Sequence, residues 1–400
     1  MDFRYTPEDE AFRQEVRAGL RAILPDDIRE RQRLTTTMNS DTHDQRVWFS
    51  LLDDKGWSVP AWPTEYGGPG WSAIQKYIFE DEMYLASAPE FQWTGTHMVG
   101  PVIYHFGDDA QKERFLPAIR RGDHIWCQGF SEPGSGSDLA SLRTHAKLEG
   151  NKYVVNGQKI WTSTAYEADW GFFLVKTDLT VKPQAGISFL LIDMKSPGIT
   201  VRRIPQINDE EHLCEVFLDN VEVPAENLVG TPGKGWTSAK FLLEHERTSS
   251  AFIFWNKREL RRARMIADDI VHDGRPLSQS PAFAGRLARL EADLAALEWS
   301  VLRVLANESH GFDASVASSI LKLRGSEMQQ ATTEIQVDLL ATRGLRAYVP
   351  GRDQPAPSLP DWPEYVPGRT AIATIMRAAT LYGGTKQVQK NILAKLAFGL

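Results

Sequence analysis

Two short stretches of this chain carry residue types able to hold a flat, electron-rich ligand. The first, Ser131-Glu132-Pro133-Gly134-Ser135-Gly136-Ser137-Asp138, packs Gly and Ser around one proline. Its backbone can turn sharply and bring N–H groups close to a phosphate or a flavin edge. Taken alone, the same composition describes a surface turn. The second stretch is Asn156-Gly157-Gln158-Lys159-Ile160-Trp161-Thr162-Ser163. Residues 153–161 read as strand, Asn-Gly hairpin turn, strand, which delivers Trp161 to a strand end. There an indole either joins the core, as strand aromatics do, or covers one face of a ring whose edge Thr162 or Ser163 bonds.

The elements that position these stretches change period twice along the chain. Residues 6–121 show helical spacing: Pro7 with Glu8, Asp9 and Glu10 marks a helix start, and Phe12, Val16, Leu20 and Ile23 then share one face. Residues 62–70, rich in Gly and Pro, read as a rigid interrupting loop. Residues 126–229 read as strands, among them 172–175, 187–192 and 215–223. Helical spacing returns after Gly235 and is broken only by a Pro-rich connection over 349–367. The implied fold class is α+β multidomain: an α-helical unit over 1–124, a β unit over 125–235 holding both stretches, and an α-helical bundle over 236–400.

Composition excludes several alternatives. At 400 residues, with 42% apolar and 24% charged residues, the chain is long enough for two or three domains with an ample core. A net charge of -7 argues against nucleic acid as a partner. No apolar run follows Met1, and no long uncharged apolar stretch occurs, so neither secretion nor membrane spanning is expected. Cys127 and Cys214 are the two cysteines, which offers no disulfide framework and fits a reducing cytoplasm.

On its two motif stretches, separated by roughly two dozen residues, the chain resembles the acyl-CoA dehydrogenase family. The family signature of Thr/Ser-Glu-Pro, small residues and Gly-Ser-Asp, followed by Asn-Gly-x-Lys-x-Trp-x-Thr/Ser, is present in both halves. The resemblance implies a helical N-terminal domain, a β-barrel-like middle domain and a C-terminal four-helix bundle. It implies FAD as cofactor, an acyl-CoA as substrate and electron-transfer flavoprotein as electron acceptor. Gln128, Phe130 and Ser131 match flavin-edge positions, Trp161 and Ser163 ring-facing ones, and Thr385 with Gln387 the C-terminal flavin contacts. Ser137, Glu244 and Arg247 fall at substrate positions.

The implied reaction removes a proton next to the thioester carbonyl and a hydride from the neighbouring carbon. A buried carboxylate is a better proton acceptor, and a donor aimed at the developing oxyanion is worth about 3 kcal/mol. Many members place the base in a C-terminal Tyr-Glu-Gly-Thr motif, where this chain has Tyr382-Gly383-Gly384-Thr385. A second family position, a Glu directly before an Arg, is matched by Glu246-Arg247. The resemblance therefore implies Glu246 as the base and the Gly383 backbone N–H as a donor to the substrate carbonyl. On residue type alone, Glu244 and Arg247 would also suit a solvated i,i+3 pair on a helix surface.

One departure from the family pattern stands out. Homo-oligomeric members hold the neighbour's FAD with an Arg-x-x-Phe-Gly motif and a Gln-x-Leu-Gly-Gly-x-Gly motif. The corresponding stretches here, 270–275 and 338–344, lack the donors, with Arg275 a displaced substitute at best. A missing pyrophosphate-binding Arg leaves charge uncompensated. The resemblance then points to the catalytic subunit of a hetero-oligomer, an α2β2 assembly with a homologous partner, as in steroid side-chain and pimeloyl-CoA members. Two other readings are a non-catalytic partner subunit and a desulfinase or nitroalkane oxidase on the same scaffold. Lys257, Arg258, Arg261, Arg262 and Arg264 read as one charged helix face, at a subunit contact. His97 and His105 flank Gly100-Pro101 near the expected acyl pocket, whose shape is set by residues 92–105.

Overall fold

The structure, a computed structural model, describes residues 5–34, 40–208, 210–245, 251–308, 315–345, 363, 366 and 368–400. Helix α1 (Pro7–Ile23) begins where Thr6 accepts from the Asp9 N–H while the Asp9 carboxylate takes the Thr6 N–H, a reciprocal cap. Its apolar face buries Val16 and Leu20, with Phe12 and Ile23 at the margin. With α3 (Thr42–Asp54) and α4 (Ala73–Leu85) it encloses Trp48, Leu52 and Phe79. Helix α2 (Asp26–Leu34) links the first two. A π-helix over Thr94–Val99 runs into α5 (Gly100–Phe106) and is followed by α6 (Asp109–Arg121). Gly122, at φ +74, ends α6 in the left-handed conformation where a Cβ would strike Phe49.

The middle of the chain forms one sheet in the order β6-β7-β3-β2-β4-β5-β8, with β1 (Trp126–Gly129) parallel to β4 (Trp170–Lys176). The remaining strands are β2 (His145–Glu149), β3 (Lys152–Ser163), β5 (Ile187–Asp193), β6 (Ile199–Arg203), β7 (Leu213–Pro224) and β8 (Leu228–Val229). Both faces of β4 and β5 are covered. Phe172, Leu174, Phe189 and Leu191 face a core built with Val99, Phe115 and Leu242, while Phe173, Val175, Leu190 and Ile192 face one built with Cys127, Cys214 and Val216. Both cysteines are free and buried.

The C-terminal part comprises α7 (Gly235–His245), α8 (Ile253–Asp269), the short strands β9 (Val271–His272) and β10 (Arg275–Pro276), α9 (Pro281–Glu308), α10 (Ser315–Leu340), α11 (Arg369–Ile375) and α12 (Lys386–Phe398). Helix α10 packs against α8, α9 and α12, giving the expected bundle. The order of helices, strands and helices is that of the expected α+β class. Most of the Pro-rich segment lies outside the described residues.

Two expectations are corrected. Asn156-Gly157 is not a hairpin turn, because β3 runs unbroken through it and pairs with β7 on one side and β2 on the other. The pair instead forms an irregularity: Gly157 sits at φ +153, where a Cβ would strike Thr144, and Asn156 bonds Asn220 across the strands. The reversal lies one step earlier, at Gly150 (φ +64), between β2 and β3. The basic run is also not a single charged face. Lys257 pairs with Asp81 and Glu298 and Arg258 with Glu90 and Glu259, so these two clasp α4 and its following loop to the bundle, while Arg262 pairs with Glu259 of its own helix.

Candidate functional site

The two motif stretches meet. The Ile160 N–H donates to the Ser131 carbonyl at 3.0 Å, which lays the loop over 131–138 along the end of β3. Beneath them Lys159 is fully buried, and its Nζ donates to the Phe130 carbonyl (3.1 Å), the Leu174 carbonyl (2.8 Å) and Glu132 Oε1 (2.8 Å). Glu132 also accepts the backbone N–H groups of Arg143 and Thr144. Burial, the largest influence on Glu132, would raise its pKa, but Lys159 and the two amides outweigh it and hold the carboxylate below its usual range. Burial brings Lys159 down to about 8 against the pull of Glu132, leaving the pair ionised at neutral pH.

Sequence reasoning passed over Glu132 and Lys159 as functional residues. A signal existed: Lys159 shares strand parity with Tyr153 and Val155, both buried, so a lysine stands where an apolar residue belongs. That position requires a buried anion, and Glu132 supplies it.

Past Lys159 the register of β3 against β7 slips by one residue before Thr162, and Trp161 sits in the slip at φ +62. A bulky residue in the left-handed region costs about 1–3 kcal/mol and persists only where its surroundings enforce it. The side chain so placed is 56% exposed. Strain spent on holding a large aromatic ring out of the core is the signature of a binding wall rather than of packing. Thr162 next to it is buried, with a hydroxyl that finds no protein partner among the described residues. Ser163 is half-buried, as are Ser131 and Gln128, the latter on β1 opposite Phe172. Ser137 is exposed. Phe130 points elsewhere: its ring meets Phe172 edge-on at 5.7 Å in the core, and only its backbone remains at the motif. An exposed indole, a glycine-rich loop and half-buried hydroxyls on adjoining backbone fit the ring end of a flavin.

The π-helix borders the same region. It packs against β1 and α7, and Thr94 donates its hydroxyl to the Trp126 carbonyl at 2.7 Å. His97 stacks face to face on Trp93 at 4.1 Å, while His105 stacks on Phe241 of α7 at 4.5 Å.

Comparison with known proteins decides the family. Three domain profiles match in succession: acyl-CoA dehydrogenase, N-terminal domain over residues 6–123, middle domain over 127–221 and C-terminal domain over 233–398. Acyl-CoA dehydrogenase IpdE1 of Mycobacterium tuberculosis is 33% identical over 366 residues, covering 89% of this chain and 88% of that protein. The ChsE4-ChsE5 complex from Mycobacterium tuberculosis superposes with a TM-score of 0.83 at 30% identity, over 100% of this chain and 99% of that one. The Tcur3481-Tcur3483 steroid ACAD gives a TM-score of 0.84 at 26% identity, over 100% and 99%. The chain belongs to the acyl-CoA dehydrogenase family.

As an acyl-CoA dehydrogenase it is an oxidoreductase, and members of its family are FAD flavoproteins. Among the described residues of this dehydrogenase, no helix is long and apolar enough to cross a membrane, and no cluster of metal-ligating side chains occurs. Thr385 caps α12 by accepting the Val388 N–H, and Gln387 is exposed in its first turn. Gly383 (φ +60) and Gly384 (φ +87) bring the chain into that cap through two successive left-handed residues. A side chain at Gly383 would begin 3.6 Å from Lys322 Nζ. Lys322 is buried between the Tyr382 and Phe252 rings and donates to the Ala379 carbonyl. The Tyr382 hydroxyl is pushed above its usual range, first by burial. Glu246 and Arg247 lie outside the described residues; the backbone of Glu244 belongs to the last turn of α7, its side chain being outside them too.

Proposed function

We propose that this acyl-CoA dehydrogenase is the catalytic subunit of a hetero-oligomer and converts an acyl-CoA thioester to the 2-enoyl-CoA. The observation that carries the reading is the strained, exposed Trp161 beside the loop over 131–138. FAD, when bound, accepts the hydride from the substrate's β-carbon. Trp161 and Ser163 would face the flavin ring, Gln128, Phe130 and Ser131 its edge through backbone and polar atoms, and Thr385 and Gln387 the cofactor from α12. Glu246, which follows α7 directly, would take the α-proton. The Gly383 N–H would stabilise the negative charge that builds on the carbonyl oxygen, and Ser137, Glu244 and Arg247 would hold the CoA side.

The hetero-oligomeric part is supported by the stretch that corresponds to the family's Arg motif. Residues 270–275 form a tight hairpin around Asp273-Gly274 that presents an exposed Arg275 paired in register with His272, without the Arg-x-x-Phe-Gly donors. Exposed apolar side chains on the bundle, including Phe398 at 75%, leave surface for a partner. The similar ChsE4-ChsE5 structure is itself a complex. Electron-transfer flavoprotein would take up the electrons, and a reducing cytoplasm suits the two free, buried cysteines.

The test is expression alone and with a homologous subunit carrying the Arg and Gln motifs. Full FAD content and bleaching by acyl-CoA are expected in the co-purified complex. Full FAD occupancy and high turnover in the chain alone would refute the hetero-oligomer. Flavin that no acyl-CoA bleaches would favour a non-catalytic subunit, or a desulfinase or nitroalkane oxidase chemistry.

A further inference from the structure

The π-helix places one side chain whose hydrogen-bonding state is fixed by its neighbours. The Thr96 hydroxyl donates to the Gln92 carbonyl at 3.0 Å, and the same oxygen lies 2.8 Å from His97 Nδ1. A carbonyl can only accept and a hydroxyl has one proton, so both contacts are hydrogen bonds in one arrangement alone: His97 carries its proton on Nδ1 and donates it to Thr96. The imidazole is neutral at physiological pH, burial having brought its pKa down to about 4. Nε2 is then a bare acceptor. No described residue bonds it, and it is not among the enclosed atoms.

The ring cannot turn away. It lies flat on Trp93, at 4.1 Å with planes 5° apart, and Phe91 closes a second side at 5.1 Å. The π-helical turn itself is held by Thr94 on Trp126 of β1 and by the Trp62 indole N–H, which donates to the Thr96 carbonyl at 2.7 Å. A π-turn widens the helix by one residue per bond and commonly marks a functional site. Here it packs against both β1, the strand leading into the loop over 131–138, and helix α7, elements that on the acyl-CoA reading border the acyl group.

We propose that His97 is a specificity-determining residue, accepting through Nε2 a hydrogen bond from a hydroxyl group on the acyl portion of the substrate. Resting on the acyl-CoA reading, it narrows that reading to hydroxylated acyl groups. An unsubstituted chain lying there would strip water from Nε2 without replacing it, which is the basis of discrimination against substrates lacking a donor.

The experiment uses the flavin-loaded complex and medium-chain acyl-CoAs that are unsubstituted or carry one hydroxyl on the distal half of the acyl chain. Dissociation constants come from calorimetry and turnover from flavin bleaching, each measured independently. At least one hydroxylated ester is expected to bind about tenfold more tightly than its unsubstituted match. His97→Phe, which keeps an aromatic stack on Trp93, should bring that ratio near unity while leaving binding of the unsubstituted ester within about threefold. His97→Gln, which restores an acceptor, should recover part of the preference; His97→Leu replaces His97→Phe if that variant yields no folded complex. Equal affinities in the wild type, or a preference surviving in His97→Phe and His97→Leu, would overturn the proposal. Absence of bleaching by every ester would instead overturn the dehydrogenation reading, while the binding ratio still decides the role of His97.

Discussion

Lys159 and Glu132 form a buried ion pair at 2.8 Å that joins the two motif stretches proposed to hold the flavin. Breaking such a pair from one side leaves a charge with no counterpart and costs about 3–5 kcal/mol. Lys159→Met should lower stability by that order in urea unfolding and release flavin on gel filtration. Adding Glu132→Gln to it should recover part of the stability, because the stranded carboxylate is then gone.

Trp161 should separate backbone strain from ring contact. At φ +62, Gly is at ease and Ala is not, so flavin-free Trp161→Gly should be more stable than Trp161→Ala by about 1 kcal/mol. Both lack the indole, and both should bind FAD more weakly than the wild type in flavin-fluorescence titrations. Equal loss of stability in the two variants would argue that the left-handed backbone carries no strain.

Glu246→Gln tests the base. A general base contributes about 10²–10⁴-fold, so flavin reduction by a good acyl-CoA should slow by that order in stopped-flow absorbance while FAD content stays at the wild-type level. A rate near that of the wild type would place the base elsewhere.

Glu80 on α4 gives a pH signature. No described group bonds it, and burial raises its pKa from 4.5 to about 7. A carboxyl with a raised folded pKa contributes full stability below its unfolded pKa and loses it as pH rises through the folded one. Glu80→Gln should therefore be close to the wild type at pH 4, gain on it between about 4.5 and 7, and lead by about 1–3 kcal/mol above that. Thermal midpoints across pH measure the gap.

The helix, strand, helix order was legible because period and caps are local: Thr6 with Asp9 starts α1 within one turn, and the β4 and β5 runs announce strands covered on both faces. What misled was non-local. Asn156-Gly157 suits a hairpin as well as a bulge, and the choice was made by β7, some sixty residues later, through Asn220. The basic run on α8 reads as one charged face because Asp81 and Glu90, which pair with Lys257 and Arg258, belong to α4 and its following loop, far away in sequence. Trp161 was legible as a candidate wall, but its left-handed backbone was not, since nothing in residue type marks a bulky aromatic for that conformation.

The exposed, strained indole also bears on supply. A ligand that binds only the folded state adds stability in proportion to the logarithm of its concentration. An apolar ring that the fold holds in solvent is a liability until something covers it. Newly made chains in a cell short of riboflavin should accordingly be cleared by proteolysis or aggregate, so that enzyme abundance tracks vitamin status before any change in catalytic rate is felt.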